Sequence, residues 1–381
     1  MNNKPVSIAF IRQRYNPFGG AERFMERALQ ALQARGIQLT LITRRWDTQQ
    51  DNGIRKLVCK PLHIGSLWRH WSFSRCVCKT VKQEQFDLVQ SHERLPCCDI
   101  YRAGDGVHRE WLQQRKRILG RWGQLAIRFS LYHYYLKQAE SRLFHSSRLK
   151  MVICNSHMVK AEIQHYFGLP EDKLTVIYNG VDSDVFHPGL KDEFNTTLRQ
   201  QYGIPLDASV FLYVGSGFER KGLDAVIRAF AQLPANTHLL VVGKDRRLKQ
   251  YQQLAQRLGV AARVHFAGGQ KEVRPYYGAA DVFLLPTLYD PLPNAGLEAM
   301  ACGLPTITST KSGLAELIEH GKNGYVFDAL DIQAMANTMQ TLLDATLRTA
   351  IGNAARTTIT PLTLENMGLQ LEKLYTQLLT A

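Results

Sequence analysis

Short apolar runs alternate with helical patterns along nearly the whole chain, and most of the runs end in glycine or a polar turn. Ser7 to Ile11, Leu39 to Thr43, Phe86 to Gln90, Met151 to Cys154 and Leu174 to Tyr178 read as strands of a first half. Val210 to Val214, His238 to Val242, Val264 to Phe266, Val282 to Leu285 and Thr306 to Thr308 read as strands of a second. Helical patterns fall between them, near 21–35, 223–233 and 247–258. Such alternation predicts α/β architecture: parallel sheets whose two faces are both covered by helices. A chain of 381 residues can bury two such cores. We expect two facing doubly wound domains, at 1–180 and 181–360, with a closing segment at 361–381 whose helix, Leu364 to Leu379, returns toward the first. Ligands of open α/β sheets bind outside the carboxyl ends of the strands. The loops that follow the strands are therefore where chemistry is sought.

Seven cysteines (59, 76, 78, 97, 98, 154 and 302) form an odd set, and neither Cys76-Val-Cys78 nor Cys97-Cys98 has zinc-site spacing. Reduced thiols in a cytosolic protein are the expectation. No apolar run reaches the length of a spanning helix, and the start, up to Ile11, reads as a strand rather than a signal peptide. The net charge of +14 calls for an acidic partner. Much of it is local: ten basic residues against Glu110 and Glu140 give +8 between Arg109 and Lys150. Trp111, Trp122, Phe129, Tyr132, Tyr134, Tyr135 and Phe144 are interleaved with these cations. Aromatic and cationic side chains together suit an anionic lipid surface. An ordinary helix pair with a solvated basic face is the plain alternative. Interleaving of this kind also suits nucleic acid, but no nucleic-acid module accompanies it, and we expect none as partner.

Several loops carry candidate chemistry. Asn16-Pro-Phe-Gly19-Gly20 follows the first strand, and paired glycines there let a phosphate or sugar approach backbone N–H groups. Gly215-Ser-Gly217-Phe-Glu-Arg220-Lys221-Gly222 holds the equivalent place in the second half. Its Arg supplies a bidentate fork and its Lys a point charge, both suited to a leaving diphosphate; Lys221 is expected to be exposed. Gly243 and Gly269 end two further strands. Asp290-Pro-Leu-Pro-Asn294-Ala295-Gly296-Leu297-Glu298 sets two carboxylates eight positions apart, one after a strand and one in a helix's first turns. Asp290 suits sugar hydroxyls and Glu298 a ribose, with a diphosphate at the helix start between them. In the first half Asp105 lies between glycines on a tight turn, and His92 and His108 are candidates for the acceptor side. Asp182-Ser-Asp184 reads as a strand-end loop rather than a metal site, and we expect no metal.

The Gly-x4-Arg-Lys-Gly loop and the acidic-x7-Glu motif resemble retaining family 4 glycosyltransferases. The opening Tyr15-Asn-Pro-Phe-Gly-Gly and the Asp99 to Asp105 segment are similar to the lipopolysaccharide core glucosyltransferase I group within them. The resemblance spans nearly the whole chain. It implies a GT-B fold with a deep inter-domain cleft and transfer of a hexose from a UDP-sugar, as substrate rather than cofactor, to a core heptose of a glycolipid. It also implies work at the cytoplasmic face of the inner membrane. Asp105, Arg220, Lys221 and Asp290 would be the catalytic set, and the glycines named above with Asn294 to Glu298 would hold the donor. Asp290 stands where the family has Glu, which leaves glucose, N-acetylglucosamine and galactose open. A transferase for another envelope glycan, a UDP-sugar epimerase of the same fold and a non-catalytic lipid-surface adaptor are the alternatives.

Overall fold

The computed structural model describes residues 6–15, 37–46 and 54–380. The Gly19-Gly20 loop and the helix expected over 21–35 lie outside the described residues. The chain divides into two compact units, residues 1–179 with 364–381, and residues 180–363.

In the first unit β1 (Ser7–Tyr15), β2 (Gln38–Trp46), β3 (Arg55–Val58), β4 (Leu88–Ser91), β5 (Ile100–Arg102), β6 (Met151–Cys154) and β7 (Leu174–Val176) form one parallel sheet. Its strand order is β3-β2-β1-β4-β5-β6-β7. The chain starts in the middle, runs out to one edge, then returns to β4 and builds the other side. That reversal leaves a crevice beyond the ends of β1 and β4. Helices α1 (Gly65–Glu84), α2 (His108–Lys116), α3 (Arg121–Arg128), α4 (Leu131–Phe144) and α5 (His157–Phe167) belong to this unit.

The second unit repeats the plan. Strands β8 (Ser209–Val214), β9 (Thr237–Val242), β10 (Val264–Gly268), β11 (Val282–Leu285), β12 (Thr306–Ser309) and β13 (Tyr325–Phe327) pair in the order β10-β9-β8-β11-β12-β13. Its reversal lies between β8 and β11. Helices α6 (Leu190–Gln201), α7 (Leu223–Phe230), α8 (Leu248–Arg257), α9 (Arg274–Ala279), α10 (Asn294–Ala301), α11 (Ile332–Thr341) and α12 (Ala345–Ile359) accompany it. The closing helix, α13 (Leu364–Thr380), is part of the first unit.

Strand alternation explains how the first sheet is covered. Ala9 and Ile11 of β1 face one apolar cluster with Phe73, Val77 and Val81 of α1, while Ile8 and Phe10 face another with Met367, Leu371 and Tyr375 of α13. Tyr375 is fully enclosed; its ring meets Phe10 edge-on, and its hydroxyl donates to Gln90 Oε1 at 2.5 Å. Each sheet is also pinned by a buried carboxylate. Asp99 accepts the Val89 N–H and pairs with Arg148; Asp281 accepts the Val210 N–H and pairs with Arg199 at 2.8 Å.

The expectation of reduced thiols throughout is corrected: Cys78 and Cys97 form a disulfide. Cys78 lies on α1, and α1 packs beside the loop after β4, which brings the two Cα atoms within bridging range at 5.6 Å. Cysteines 59, 76, 98, 154 and 302 remain thiols.

Tyr375→Phe should cost about 1–2 kcal/mol, because the buried Gln90 amide oxygen loses its donor while ring packing is kept. Urea unfolding measures this; an unchanged midpoint would show that the hydroxyl does not help hold α13.

Candidate active site

The second unit brings its sequence-selected residues to the reversal between β8 and β11. The loop after β8 carries Arg220 and Lys221, and the loop after β11 carries Asp290. Asp290 is buried at 6% exposure, and its Oδ2 accepts from Lys221 Nζ at 2.9 Å. Arg220 Nη1 lies 3.4 Å from the same oxygen and donates to the Tyr289 carbonyl at 3.0 Å. Burial alone would raise the Asp290 pKa; the Lys221 and Arg220 charges outweigh it, helped by hydrogen bonds from Lys221 and the Leu292 backbone, and the carboxyl sits below its ordinary value. Lys221, expected to be exposed, keeps only 12% of its side chain accessible, because its ammonium turns inward onto Asp290. Arg220 stays more open, at 38%.

The surrounding loops fix this pair. A Cβ on Gly215 would stand 2.4 Å from Lys221 Cδ, so glycine clears the path of the lysine stem. Gly243 has φ +151°, and a Cβ there would strike the Gly215 carbonyl oxygen at 2.1 Å. Asp245 accepts the Phe218 N–H at 2.7 Å, and the Leu288 N–H donates to the Arg220 carbonyl at 2.8 Å. Asp290 is itself clipped between the Lys311 carbonyl and the Gly313 N–H.

Helix α10 begins four residues after Asp290. Asn294 and Ala295 are half-exposed at its start, while Gly296, Leu297 and Glu298 are buried. Glu298 Oε2 accepts from Tyr277 Oη at 2.9 Å, and that hydroxyl also lies 3.1 Å from the Ala295 carbonyl. Gly217 is exposed in its loop, and Gly269 is exposed immediately after β10. Asp182 closes a turn, its Oδ1 accepting from the Asp184 and Val185 N–H groups. Among the described residues no group of His, Cys, Asp and Glu has metal-binding geometry.

In the first unit Asp105 is exposed on its turn and lines a recess of about 160 Å³ with His70, Glu93, Arg94 and Tyr132. Gln13, at the end of β1, donates its N–H to Glu93 Oε1 at 3.0 Å, which ties the two strands of the reversal together. Arg94 donates to Glu140 Oε1 and to the Gly106 carbonyl, fixing the turn that carries Asp105. Burial lowers His70 to about 4, helped by Arg69 and Arg94, so the ring is neutral near pH 7. His92 is enclosed at the end of β4, and burial with Arg102 and Arg12 holds its pKa well down. His108 is buried at the start of α2 with Nε2 3.1 Å from His133 Nδ1; burial, then Arg94, lowers it to about 3. Both rings are neutral donor–acceptors rather than cations.

Comparison with known proteins gives the family and the fold. Residues 18–185 match the family described as Glycosyltransferase Family 4, and residues 194–358 match Glycosyl transferases group 1. The chain belongs to the GT-B glycosyltransferases. It is 28% identical to the lipopolysaccharide glucosyltransferase WaaG of Escherichia coli (strain K12) over 355 residues, 92% of this chain and 93% of that one. It is 26% identical to the lipopolysaccharide core biosynthesis glycosyltransferase LpsE of Rhizobium meliloti over 347 residues, 90% and 91% of the two chains. A crystal structure of WaaG, a glycosyltransferase involved in lipopolysaccharide biosynthesis, superposes with a TM-score of 0.83 at 25% identity, over 97% and 99% of the two chains.

The sequence did not single out His70, Glu93, Arg94 or Tyr277, which the structure sets beside the candidate residues, and it placed Tyr132 only among the aromatics of the basic segment. Glu93 and Arg94 directly follow His92, so the signal was present but attached to the wrong neighbour. His70 lies within a helix and carried no motif.

Because the Asp290 pKa is depressed, its contribution to stability is present above the unfolded carboxyl pKa of about 3.9 and is lost as pH falls through the folded value. Asp290→Asn should therefore melt below wild type at about pH 7, and the gap should narrow below about pH 4. Calorimetry across that range checks it; a gap independent of pH would show that the ionised carboxylate is not what Lys221 and Arg220 stabilise.

Proposed function

We propose that this glycosyltransferase is a retaining hexosyltransferase that moves glucose or N-acetylglucosamine from a UDP-sugar to a heptose of the lipopolysaccharide core. The observation that carries the reading is the fixed cationic pair at the β8–β11 reversal, held against Asp290 and close in sequence to the start of α10. When the bond from the anomeric carbon to the diphosphate breaks, negative charge grows on the phosphate oxygens. Lys221 and Arg220, already oriented, stabilise that charge with little reorganisation. The N–H groups at the start of α10 add to the same field. Asp290 orients the sugar hydroxyls, Glu298 the ribose, and Gly19, Gly20, Gly215, Gly217, Gly243 and Gly269 give backbone access.

In this reading the acceptor oxygen attacks from the face the diphosphate leaves. Its proton passes to a phosphate oxygen of the leaving group, so no protein nucleophile is needed. Two cations meet the diphosphate charge, which is why the reading includes no metal. Asp105, with His70 and Arg94 beside it, receives the acceptor on the first unit, and His92 and His108 shape that side as neutral rings. The lipopolysaccharide names of WaaG and LpsE support the acceptor class. No described helix is long and apolar enough to cross a membrane. The proposed location is the cytoplasmic face of the inner membrane, held there by the basic 109–150 segment.

Lys221→Ala should lower turnover about 100-fold, the scale for losing one transition-state electrostatic donor. It should also cost on the order of 1–3 kcal/mol of stability, since Asp290 loses a buried partner. Steady-state kinetics of UDP release with a heptose-terminated core glycolipid, alongside thermal melts, measure both. Near-wild-type turnover would remove Lys221 from the mechanism.

A further inference from the structure

Two recesses lie side by side on the first unit, on either side of α4. One is a groove of about 520 Å³ between α1 and α4, lined by Ile64, Leu67, Trp68, Trp71 and Leu131. Its apolar walls are open to solvent: Ile64 is 81% exposed, Leu131 72%, Trp68 46% and Trp71 43%. The other is a pocket of about 900 Å³ lined by Arg109, Lys116, Arg121, Arg128 and Lys137, with no Asp or Glu in its wall. Glu110, the carboxylate of α2, is engaged instead by Tyr166 and Gln114. Tyr134 and Gln138 line both recesses. They are four residues apart on α4 and so form one ridge along its surface, with five cations on one side and, Arg142 apart, a mostly apolar wall on the other.

We propose that the two recesses are one binding site for a single molecule of anionic phospholipid. Its phosphate sits among the cations, and one acyl chain crosses the Tyr134–Gln138 ridge into the Trp68–Trp71 groove. Charge complementarity selects this occupant. A groove walled by Trp, Leu and Ile gains by removing methylenes from water, and the adjoining pocket gains by meeting a fixed negative charge. Both demands are met by one amphipathic molecule, whereas a free phosphate satisfies only the pocket and a neutral hydrocarbon only the groove. The site deepens the membrane reading above and relies on it only for the source of the lipid. A basic face attracts a bilayer without taking a lipid out of it; this geometry withdraws one chain.

The test uses the full chain and short-chain phosphatidylglycerols below their critical micelle concentration, with one series brominated at the chain end. Binding should saturate at one lipid per protein, and bromine should quench tryptophan fluorescence through Trp68 and Trp71. Affinity should rise about fifteenfold for every two methylenes buried. Phosphatidylcholine of equal chain length should bind at least tenfold more weakly, and inorganic phosphate should cause no quenching. Leu131→Asp, at an exposed position, and the pair Lys116→Glu with Arg128→Glu should each weaken binding more than tenfold, with unchanged melting temperature. Replacing Trp68 and Trp71 by Phe should abolish the quenching but keep the binding measured by calorimetry. Equal binding of the neutral lipid, absence of quenching, or a dimer in sedimentation that Leu131→Asp dissociates would overturn the proposal. Wild-type binding to anionic vesicles without binding of the monomeric lipid would overturn it and leave the membrane reading standing; the opposite pattern would do the reverse.

Discussion

An ionised carboxylate buried beside a lysine is stable only while the pair stays together, because each charge alone would carry an uncompensated desolvation cost. Asp290 and Lys221 are in that position, and the loops around them are arranged accordingly. Gly215 makes room for the lysine stem, Gly243 lets two loops touch backbone to backbone, and Asp245 and Leu288 tie the loop ends. The pair therefore acts as a clasp between the loops after β8 and β11. A parallel sheet that starts in its middle opens a crevice at just that point. The fold supplies the place, and the ion pair fixes the charges within it.

The first unit has the same topology but a different electrostatic solution. At its reversal Glu93 accepts the N–H of Gln13, and Arg94 is spent on Glu140 and a backbone carbonyl rather than left facing outward. Burial beside arginines keeps His70, His92 and His108 neutral. Neutral rings and the exposed Asp105 carboxylate offer directional hydrogen bonds without a cationic surplus, which suits hydroxyl groups better than a diphosphate. The contrast between a crevice built round two cations and one built round neutral rings and a single exposed carboxylate is what supports the proposal of donor and acceptor on different units.

Much of this was legible in the residues. Unbroken apolar runs such as Val210 to Val214 and Val282 to Leu285 announce β8 and β11, and the Gly215 to Gly222 loop and the Asp290 to Glu298 run point to the second crevice by type and spacing. Of the three strands missed, β3 and β5 carry Arg or Lys within a short run and so lack an unbroken apolar stretch, and β13 is only three residues, Tyr325 to Phe327. The inward turn of Lys221 was not legible, since sequence gives a lysine's position but not the carboxylate that will draw it in. Nor was the Cys78–Cys97 bridge, which depends on where α1 lies against the β4–β5 loop. His70 and Tyr132 share a recess with Asp105 only because α1 and α4 pack against each other beside its turn.

The clasp matters to catalysis only if Lys221 and Asp290 work as one unit. A double-mutant cycle on kcat/KM, with Lys221→Met, Asp290→Asn and the double variant, measures that coupling directly. We predict strong non-additivity, with the double variant little worse than the poorer single one and a coupling energy of about 1–3 kcal/mol. Additive losses would contradict it, because they would mean that the two side chains act independently and that the clasp is incidental to catalysis.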